Sequence, residues 1–128
     1  MKDILESILL EDLNDIGIFR LTLNDIGNKN ALSESMMHKL IEALSKASKD
    51  NSVKLIVIAS TGNVFCSGHN LKEINEAQKA DDKGESYYLD LFKICSELMQ
   101  SIINCPKPVI AEVNGIATAA GCQLVASC

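Results

Sequence analysis

Apolar and polar residues alternate through the first part of the chain, a pattern typical of β-strands with one buried face. The segments Ile8 to Leu13 and Ile16 to Leu23 both show it, and Asn14-Asp15 between them is a turn signal. We therefore predict a β-hairpin over these residues.

The spacing of apolar residues then changes to that of a helix. Ser33 is a favourable N-cap residue, and the helical pattern continues to about Lys49. His38 lies off the apolar stripe and is expected to be exposed. The stripe itself consists of Met36, Met37, Leu40, Ile41 and Leu44.

Two nearly continuous apolar runs follow in the second part of the chain. Val53 to Ala59 and Val109 to Val113 are short and rich in β-branched residues, which favours parallel strands covered on both faces. Residues 60–70, after the first run, contain two glycines and predict a loop. After the second run, Asn114-Gly115 predicts a turn, and a helix is expected to start within the small residues Ala117 to Gly121.

Helical patterns fill the space between these two runs. Leu71 to about Ala77 predicts one or two helical turns, and the polar stretch Lys79 to Glu85 predicts a mobile surface loop. A long helix is expected from about Ser86 to Asn104, before Pro106 and Pro108 end it. Its predicted apolar face consists of Tyr88, Leu91, Phe92, Cys95, Leu98, Met99 and Ile102.

The predicted order of elements is β-β-α-β-α-β-α. Such alternation indicates an α/β layered fold with parallel strands. Ligands of these sheets bind beyond the carboxyl ends of the strands. The loops after Ala59 and after Val113 are therefore the expected position of a site.

Length and charge narrow the class of protein. The 128 residues suit one domain, the net charge is −5, and Arg20 is the single arginine, so without a basic stripe a nucleic-acid partner is not expected. The longest apolar runs are too short to span a bilayer. The acidic N-terminus is unlike a secretory signal or an Arg-rich transit peptide. We expect a cytoplasmic protein with no membrane partner.

The five cysteines are odd in number and form no C-x-x-C pair, which predicts buried, reduced thiols. Cys66 and His69 lie three residues apart, so a metal pair, or a nucleophile with its base, is an alternative. Two ligands do not fill a zinc shell, and no metal site is predicted.

The two loops at the strand ends share a design, because each contains glycine and leads towards a helix. Helix starts leave backbone N–H groups unpaired and favour negative charge. Two adjacent loops can therefore each offer one N–H group to a single oxygen, as in an oxyanion hole. The same small residues also suit tight packing of a helix on a sheet, and the residue pattern alone leaves both interpretations open.

Three stretches of the sequence together resemble one protein family. They are "NKNALS" (Asn28 to Ser33), "GNVFCSGHNLKEI" (Gly62 to Ile74) and "PKPVIAEVNGIATAAGCQLVASC" (Pro106 to Cys128). The chain resembles the N-terminal half of the crotonase superfamily of enoyl-CoA hydratases and isomerases. The Ala-Ala-Gly-Cys-Gln form is similar to the subgroup called enoyl-CoA hydratase domain-containing proteins.

The resemblance implies a spiral of β-β-α units, assembled as trimers or dimers of trimers, with an acyl-CoA thioester as substrate and no other cofactor. The thioester oxygen would lie between the backbone N–H groups of His69 and Ala120, so His69 would act through its main chain. By position, the residues along the substrate would be Phe65, Cys66, Ser67, Gly68, His69, Asn70, Leu71, Lys72, Ala119, Ala120 and Gly121.

Two positions depart from the family pattern. Gln123 stands where the hydratases carry a glutamate, and an amide can hydrogen-bond water but cannot take a proton. Losing such acid–base help costs roughly 10²–10⁴-fold in rate, whereas a retained oxyanion donor is worth about 10²–10³-fold. A purely structural role, in which Gln123 hydrogen-bonds the loop opposite, is the alternative. Asn70 stands where the family usually has an aspartate.

The family resemblance also implies that residues 1–128 form a single incomplete domain. A second glutamate, and the helices that cover the acyl pocket and build the trimer, would lie beyond Cys128. Apolar faces and strand edges meant for that half would be exposed, which predicts self-association.

Two functions follow from the resemblance. The first is a hydratase or isomerase of acyl-CoA metabolism that stabilises a thioester enolate, with this portion alone inactive. The alternative is a non-catalytic acyl-CoA-binding or regulatory paralogue, which Gln123 favours.

Overall fold

A computed structural model describes residues 6–128, and residues 1–5 at the start of the acidic N-terminus lie outside it. The strands are β1 (Leu9–Leu13), β2 (Ile18–Leu23), β3 (Leu55–Ser60), β4 (Val64–Cys66), β5 (Val109–Ala111) and β6 (Ile116–Ala117). The helices are α1 (Glu34–Lys49), α2 (Leu71–Ala77), α3 (Glu85–Ile103) and α4 (Ala120–Ser127), with a 3₁₀ turn at Ile26–Asn28.

The larger sheet has the strand order β1-β2-β3-β5. β1 and β2 form the antiparallel hairpin that the alternation predicts, and β3 lies parallel to both β2 and β5. The predicted α/β architecture with parallel strands is confirmed. Ile16 does not belong to the second strand, because the Asn14 side chain accepts hydrogen bonds from the N–H groups of Ile16 and Ile18 and extends the turn.

Helix α1 begins and ends where the sequence predicts. The Ser33 hydroxyl accepts a hydrogen bond of 3.1 Å from the Met36 N–H group and caps the helix. Its predicted apolar stripe faces the core, although Ile41 is only half-buried, and His38 is exposed as expected. The helix packs against α3 and joins it to the sheet.

The predicted loop over residues 60–70 is wrong in its middle. Residues Val64–Cys66 form β4, which pairs in parallel with β6, a strand that the sequence also did not reveal. Strands of three and two residues are too short for alternation to show. The observed order is β-β-α-β-β-α-α-β-β-α, and the added pair of strands lies beside the predicted site.

The prediction of a second fully covered strand at residues 109–113 is also wrong. β5 ends at Ala111, Ile110 is 49% exposed and Val113 is 46% exposed. Within the described residues β5 pairs only with β3, so it is an edge of the sheet. Such an edge fits the expected self-association, which stays a prediction.

Helix α3 matches the predicted long helix apart from two members of its apolar face. Tyr88 is only half-buried and Phe92 is 62% exposed, whereas Leu91, Cys95, Leu98, Met99 and Ile102 are buried. The polar stretch before α3 is exposed, and the Asp82 carboxylate accepts hydrogen bonds from the N–H groups of Gly84 and Ser86 there.

The prediction that the thiols are buried holds only in part. Cys66 and Cys95 are buried, Cys105 is half-buried, and Cys122 and Cys128 are exposed, because α4 covers the sheet with only one face. Across residues 6–128, no helix combines the length and apolar character needed to cross a membrane.

The buried Asn30 connects the segment before α1 to the second, smaller sheet. It is 1% exposed and has a backbone φ of 52°. Its amide nitrogen donates to the carbonyls of Thr61 and Val64, both at 2.9 Å, and its oxygen accepts from the Asp25 N–H group at 2.8 Å. The two donated bonds depend on an amide rather than a carboxylate.

We predict that Asn30→Asp lowers the free energy of unfolding by about 3 kcal/mol, because a carboxylate cannot donate to two buried carbonyls. The matched control is Asn51→Asp in an exposed turn, which should stay within about 0.5 kcal/mol of the unmodified protein. Urea unfolding of the three proteins measures the difference. Equal stabilities of the two variants would contradict this role of Asn30.

Candidate functional site

The small parallel sheet brings two loops side by side. β4 leads into residues 67–70 and β6 into residues 118–121, and the Thr118 N–H group donates to the Cys66 carbonyl at 3.1 Å. The carboxyl ends of both strands therefore lie at the same edge. This is where a layered α/β fold is expected to bind a ligand.

The two loops are in backbone contact. A Cβ atom on Gly121 would lie 2.2 Å from the Cys66 carbonyl oxygen, which is far inside van der Waals contact. Gly68 has a φ of +94°, and a Cβ atom there would lie 3.2 Å from the Ala120 nitrogen and 2.9 Å from the Ala119 Cβ. The tight packing that the sequence left open is thus present, and it holds the Ala120 amide against the other loop.

Two backbone N–H groups at this contact have no acceptor. Within residues 6–128, neither His69 nor Ala120 donates a backbone hydrogen bond. Ala120 is the first residue of α4, where intrahelical acceptors do not exist. Leu32 fixes the other loop, because its N–H group donates to the Gly68 carbonyl at 2.7 Å. Two donors that folding leaves unpaired can both serve a ligand oxygen.

Ala119 holds a strained conformation immediately before the helix. Its φ of 51° and ψ of −126° are unusual for a residue with a Cβ atom. Such conformations cost about 1–3 kcal/mol and cluster at binding and active sites. The strained residue sets the direction of the peptide plane that carries the Ala120 N–H group.

One cleft, of about 290 Å³, opens between the Ser67–Lys72 segment and the turn before α1. We call it the lysine cleft, because Lys29 and Lys72 contribute cationic side chains to its wall. The Lys72 amine donates to the Asn28 side-chain oxygen at 3.2 Å. The full lining is Gly27, Asn28, Lys29, Ala31, Ser67, His69, Asn70, Leu71 and Lys72.

A second cleft, of about 340 Å³, lies between α3 and α4, and we call it the helix cleft. Its described lining contains no carboxylate. Three of the predicted residues, His69, Ala120 and Gln123, meet in its wall. The remaining lining residues are Phe92, Cys95, Ser96, Met99, Gln100, Ile103 and Ser127.

His69 is the residue common to both clefts. Its ring packs edge-on against Phe92, with the ring centroids 6.0 Å apart. Its Nδ1 atom is buried and has no hydrogen-bond partner within residues 6–128. Burial lowers the pKa of His69, and a contact with the Leu32 backbone opposes that shift only in part. The imidazole is therefore neutral at physiological pH.

Gln123 lies on the exposed side of α4, in the wall of the helix cleft. Throughout the described chain its side-chain amide has no hydrogen-bond partner, so the alternative bond to the opposite loop is not formed. A free primary amide in this position can donate to and accept from a ligand or a water molecule.

The remaining predicted residues divide into three groups. Ser67, Asn70, Leu71 and Lys72 line the lysine cleft, and the Asn70 side chain caps α2 by accepting from the Lys72 and Glu73 N–H groups. Gly68, Ala119 and Gly121 form the backbone contact. Phe65 and Cys66 line neither cleft, because β4 buries both side chains completely.

The alternative in which Cys66 is a nucleophile with His69 as its base finds no support. Cys66 is 0% exposed, and burial raises the pKa of its thiol. A buried thiol with a raised pKa holds its proton at neutral pH and is inert.

Sequence reasoning missed the contribution of α3 to the site. Phe92, Ser96 and Gln100 recur every four residues and line the helix cleft along one side of the helix. Polar residues spaced four apart from Phe92 could have indicated a cleft wall on α3. Phe92 was assigned to the core instead, because its position also fits the apolar spacing of the helix. Lys29 was likewise missed, since a single lysine carries no pattern.

The chain is similar to known proteins over most of its length. Residues 14–128 match the family model described as "Enoyl-CoA hydratase/isomerase". "Enoyl-CoA hydratase domain-containing protein 3, mitochondrial" of Xenopus laevis is 46% identical over 112 residues, which cover 88% of this chain and 36% of that protein. The 1,2-epoxyphenylacetyl-CoA isomerase of Escherichia coli (strain K12) is 30% identical over 110 residues, or 84% of this chain and 40% of that protein.

A solved structure shares the fold. The crystal structure of an enoyl-CoA hydratase from Mycobacterium smegmatis superimposes with a TM-score of 0.87 at 47% identity, covering 96% of this chain and 46% of that one. The chain thus spans about a third to a half of the length of the proteins it matches. The crotonase-like α/β fold expected from the three sequence stretches is confirmed for the N-terminal portion.

Gly121→Ala should lower the free energy of unfolding by about 3 kcal/mol, because the added Cβ atom overlaps the Cys66 carbonyl and the backbone must move. Gly27→Ala is the control, since a Cβ atom there meets nothing within 4 Å. Chemical denaturation of both variants measures the two effects. If Gly121→Ala is as stable as Gly27→Ala, the backbone contact is not as tight as described.

The lowered pKa of His69 makes a second prediction, on the pH dependence of stability. Below the ordinary pKa of about 6.5 the unfolded chain binds a proton that the folded chain does not, so stability falls as the pH drops from 6.5 to the folded pKa. Unfolding followed between pH 5 and pH 8 should show a shallower slope for His69→Gln than for His38→Gln, the control at the exposed histidine. Identical slopes in the two variants would contradict it.

Proposed function

The chain belongs to the enoyl-CoA hydratase/isomerase family, and from that membership we propose that it forms the part of a family domain that holds an acyl-CoA thioester and stabilises its enolate. The observation that carries the proposal is the pair of unpaired N–H groups, His69 and Ala120, on two loops in backbone contact. Two preorganised donors aimed at one oxygen stabilise the negative charge that develops there. Because the fold already holds both N–H groups in place, ligand binding does not have to order them.

The lysine cleft would hold the CoA moiety. Lys29 and Lys72 can neutralise phosphate groups, and the apolar side chain of Leu71, which is 70% exposed, offers a surface for the less polar parts. The acyl group would enter the helix cleft on the other side of His69. In this proposal the thioester lies between the two clefts, next to both donors.

The role of Gln123 distinguishes a catalytic from a non-catalytic version of the proposed function. In the first, the whole protein is a hydratase or isomerase whose proton transfers rely on groups other than Gln123. In the second, it binds acyl-CoA without turning it over, and the helix cleft, which has no carboxylate in its described lining, favours this version. The family itself includes hydratases and isomerases, so membership alone does not choose between them.

The proposal also covers the assembly, the cellular location and the pathway of the whole protein. We propose that the whole protein forms trimers or dimers of trimers and acts in acyl-CoA or fatty acid metabolism. The name of the Xenopus laevis relative places that protein in mitochondria. The cytoplasmic location expected from the acidic N-terminus stays a prediction.

Calorimetry with crotonyl-CoA and with free CoA tests the binding part of the proposal. We expect crotonyl-CoA to bind more tightly than CoA, because only the thioester has an oxygen for the two donors. If both compounds bind equally tightly, or if neither binds, the proposed thioester site is contradicted.

Gln123→Glu tests the catalytic part, with Gln78→Glu on the exposed end of α2 as a control of equal charge. Gln123→Glu should hydrate crotonyl-CoA at least about 10²-fold faster than the unmodified protein, because a carboxylate restores acid–base help. Loss of the enoyl absorbance measures the rate. An equal rate in all three proteins would show that Gln123 does not occupy the acid–base position.

A further inference from the structure

The imidazole of His69 is a titratable group in the proposed site that the enolate mechanism leaves unused. The proposed function employs only the main chain of this residue. Its ring nevertheless lies in the wall of the helix cleft, with a buried Nδ1 atom that has no hydrogen-bond partner in the part of the chain that the structure describes. Buried polar atoms without partners are rare, and each calls for an explanation.

The partner of Nδ1 is best sought in the ligand, because covalent geometry places the two close together. Nδ1 is four bonds from the backbone nitrogen of its own residue, a distance of roughly 3–4 Å. A thioester oxygen bound to that N–H group would lie about 2.9 Å away, and the α-carbon is about 2.4 Å from its oxygen. The α-carbon of the bound thioester and Nδ1 of His69 therefore both lie within a few ångströms of the His69 backbone nitrogen.

Such an approach requires the His69 ring to turn about its χ2 torsion. The χ2 torsion of histidine is a broad, two-fold torsion, so a turn of the ring brings a nitrogen to the cleft surface. The Phe92 contact is edge-on, and Phe92 is itself 62% exposed, so the surroundings can adjust. Although Nδ1 is buried in the structure without a ligand, a turn of the ring could expose it to a bound ligand.

Resting on the proposed function, we propose that the His69 imidazole is the base that exchanges the α-proton of a bound acyl-CoA thioester, the task for which Gln123 has no suitable group. The α-carbon–hydrogen bond breaks and its proton goes to the imidazole, which becomes imidazolium. The electron pair forms the enolate double bond, and the charge moves to the oxygen held by the His69 and Ala120 N–H groups. The reverse steps return a proton from the imidazolium, so the cycle balances without a further reactant.

The surrounding charges suit a neutral imidazole that accepts a proton. From α3 the helix cleft presents the Cys95 thiol, and burial raises its pKa, so it stays uncharged. α4 presents only uncharged groups there, and Leu32, on the segment before α1, presents its backbone. On the other side of His69, Lys29 and Lys72 line the lysine cleft. Burial is the largest cause of the lowered pKa of His69. A base in this setting is in its active, unprotonated form at neutral pH.

Deuterium exchange into butyryl-CoA in D₂O, catalysed by the whole protein, tests this role, because exchange needs only the two donors and a base. Mass spectrometry follows the α-position, and calorimetry measures binding of the same compound. His69→Gln keeps the backbone donor and removes the base, and His38→Gln is the control. We expect exchange to fall at least about 10²-fold in His69→Gln, with the dissociation constant within about 3-fold of the unmodified protein.

Two further readouts separate proton transfer from a structural effect. The exchange rate of the unmodified protein should rise with pH through the lowered pKa of His69 and then level off, and His69→Gln should lose that profile. Exchange by His69→Ala should recover when imidazole is added.

The outcomes are distinct. Absence of butyryl-CoA binding by the unmodified protein overturns the proposed function, and with it this inference. Binding without exchange, or exchange that His69→Gln leaves unchanged, overturns the inference alone.

Discussion

The contact between the end of β4 and the start of α4 is the constraint on which the site depends. A Cβ atom at Gly121 would overlap the Cys66 carbonyl, and Gly68 reaches the Ala120 nitrogen only because it lacks one. The pairing of β4 with β6 holds the two loops in this register. The N–H groups of His69 and Ala120, which have no acceptors within residues 6–128, lie on the two loops in contact. The packing around Ala119 keeps its strained conformation.

In the proposed function, this constraint separates the groups that would stabilise charge from the groups that would move protons. The donors are backbone atoms, so side-chain replacements leave them in place as long as the glycines remain. Under the same proposal, proton transfer would depend on side chains in the helix cleft, which can differ between relatives that share one fold. A glutamine at position 123 would then change the chemistry without disturbing the two backbone donors, and the His69 imidazole would supply the proton acceptor.

Elements with long, regular patterns could be predicted from the sequence, as for the hairpin, α1, α3 and the buried β3. β4 and β6 could not, because a strand of two or three residues shows no period. β5 was mistaken for a covered strand because an apolar run does not reveal how many neighbours it has. At the site, the motifs indicated His69, Ala120 and Gln123, whereas Phe92 and Lys29 emerged only when tertiary packing placed them around the clefts.

The amide resonances of His69 and Ala120 provide the most direct measurement of the oxygen-binding pair. In ¹⁵N–¹H correlation spectra, titration with crotonyl-CoA should move both amide protons downfield, because each gains a hydrogen bond to the thioester oxygen. Free CoA, which has no thioester oxygen, should leave these two resonances nearly unchanged while shifting those of the lysine cleft. If crotonyl-CoA binds and either amide stays where it is, the two N–H groups do not share the thioester oxygen.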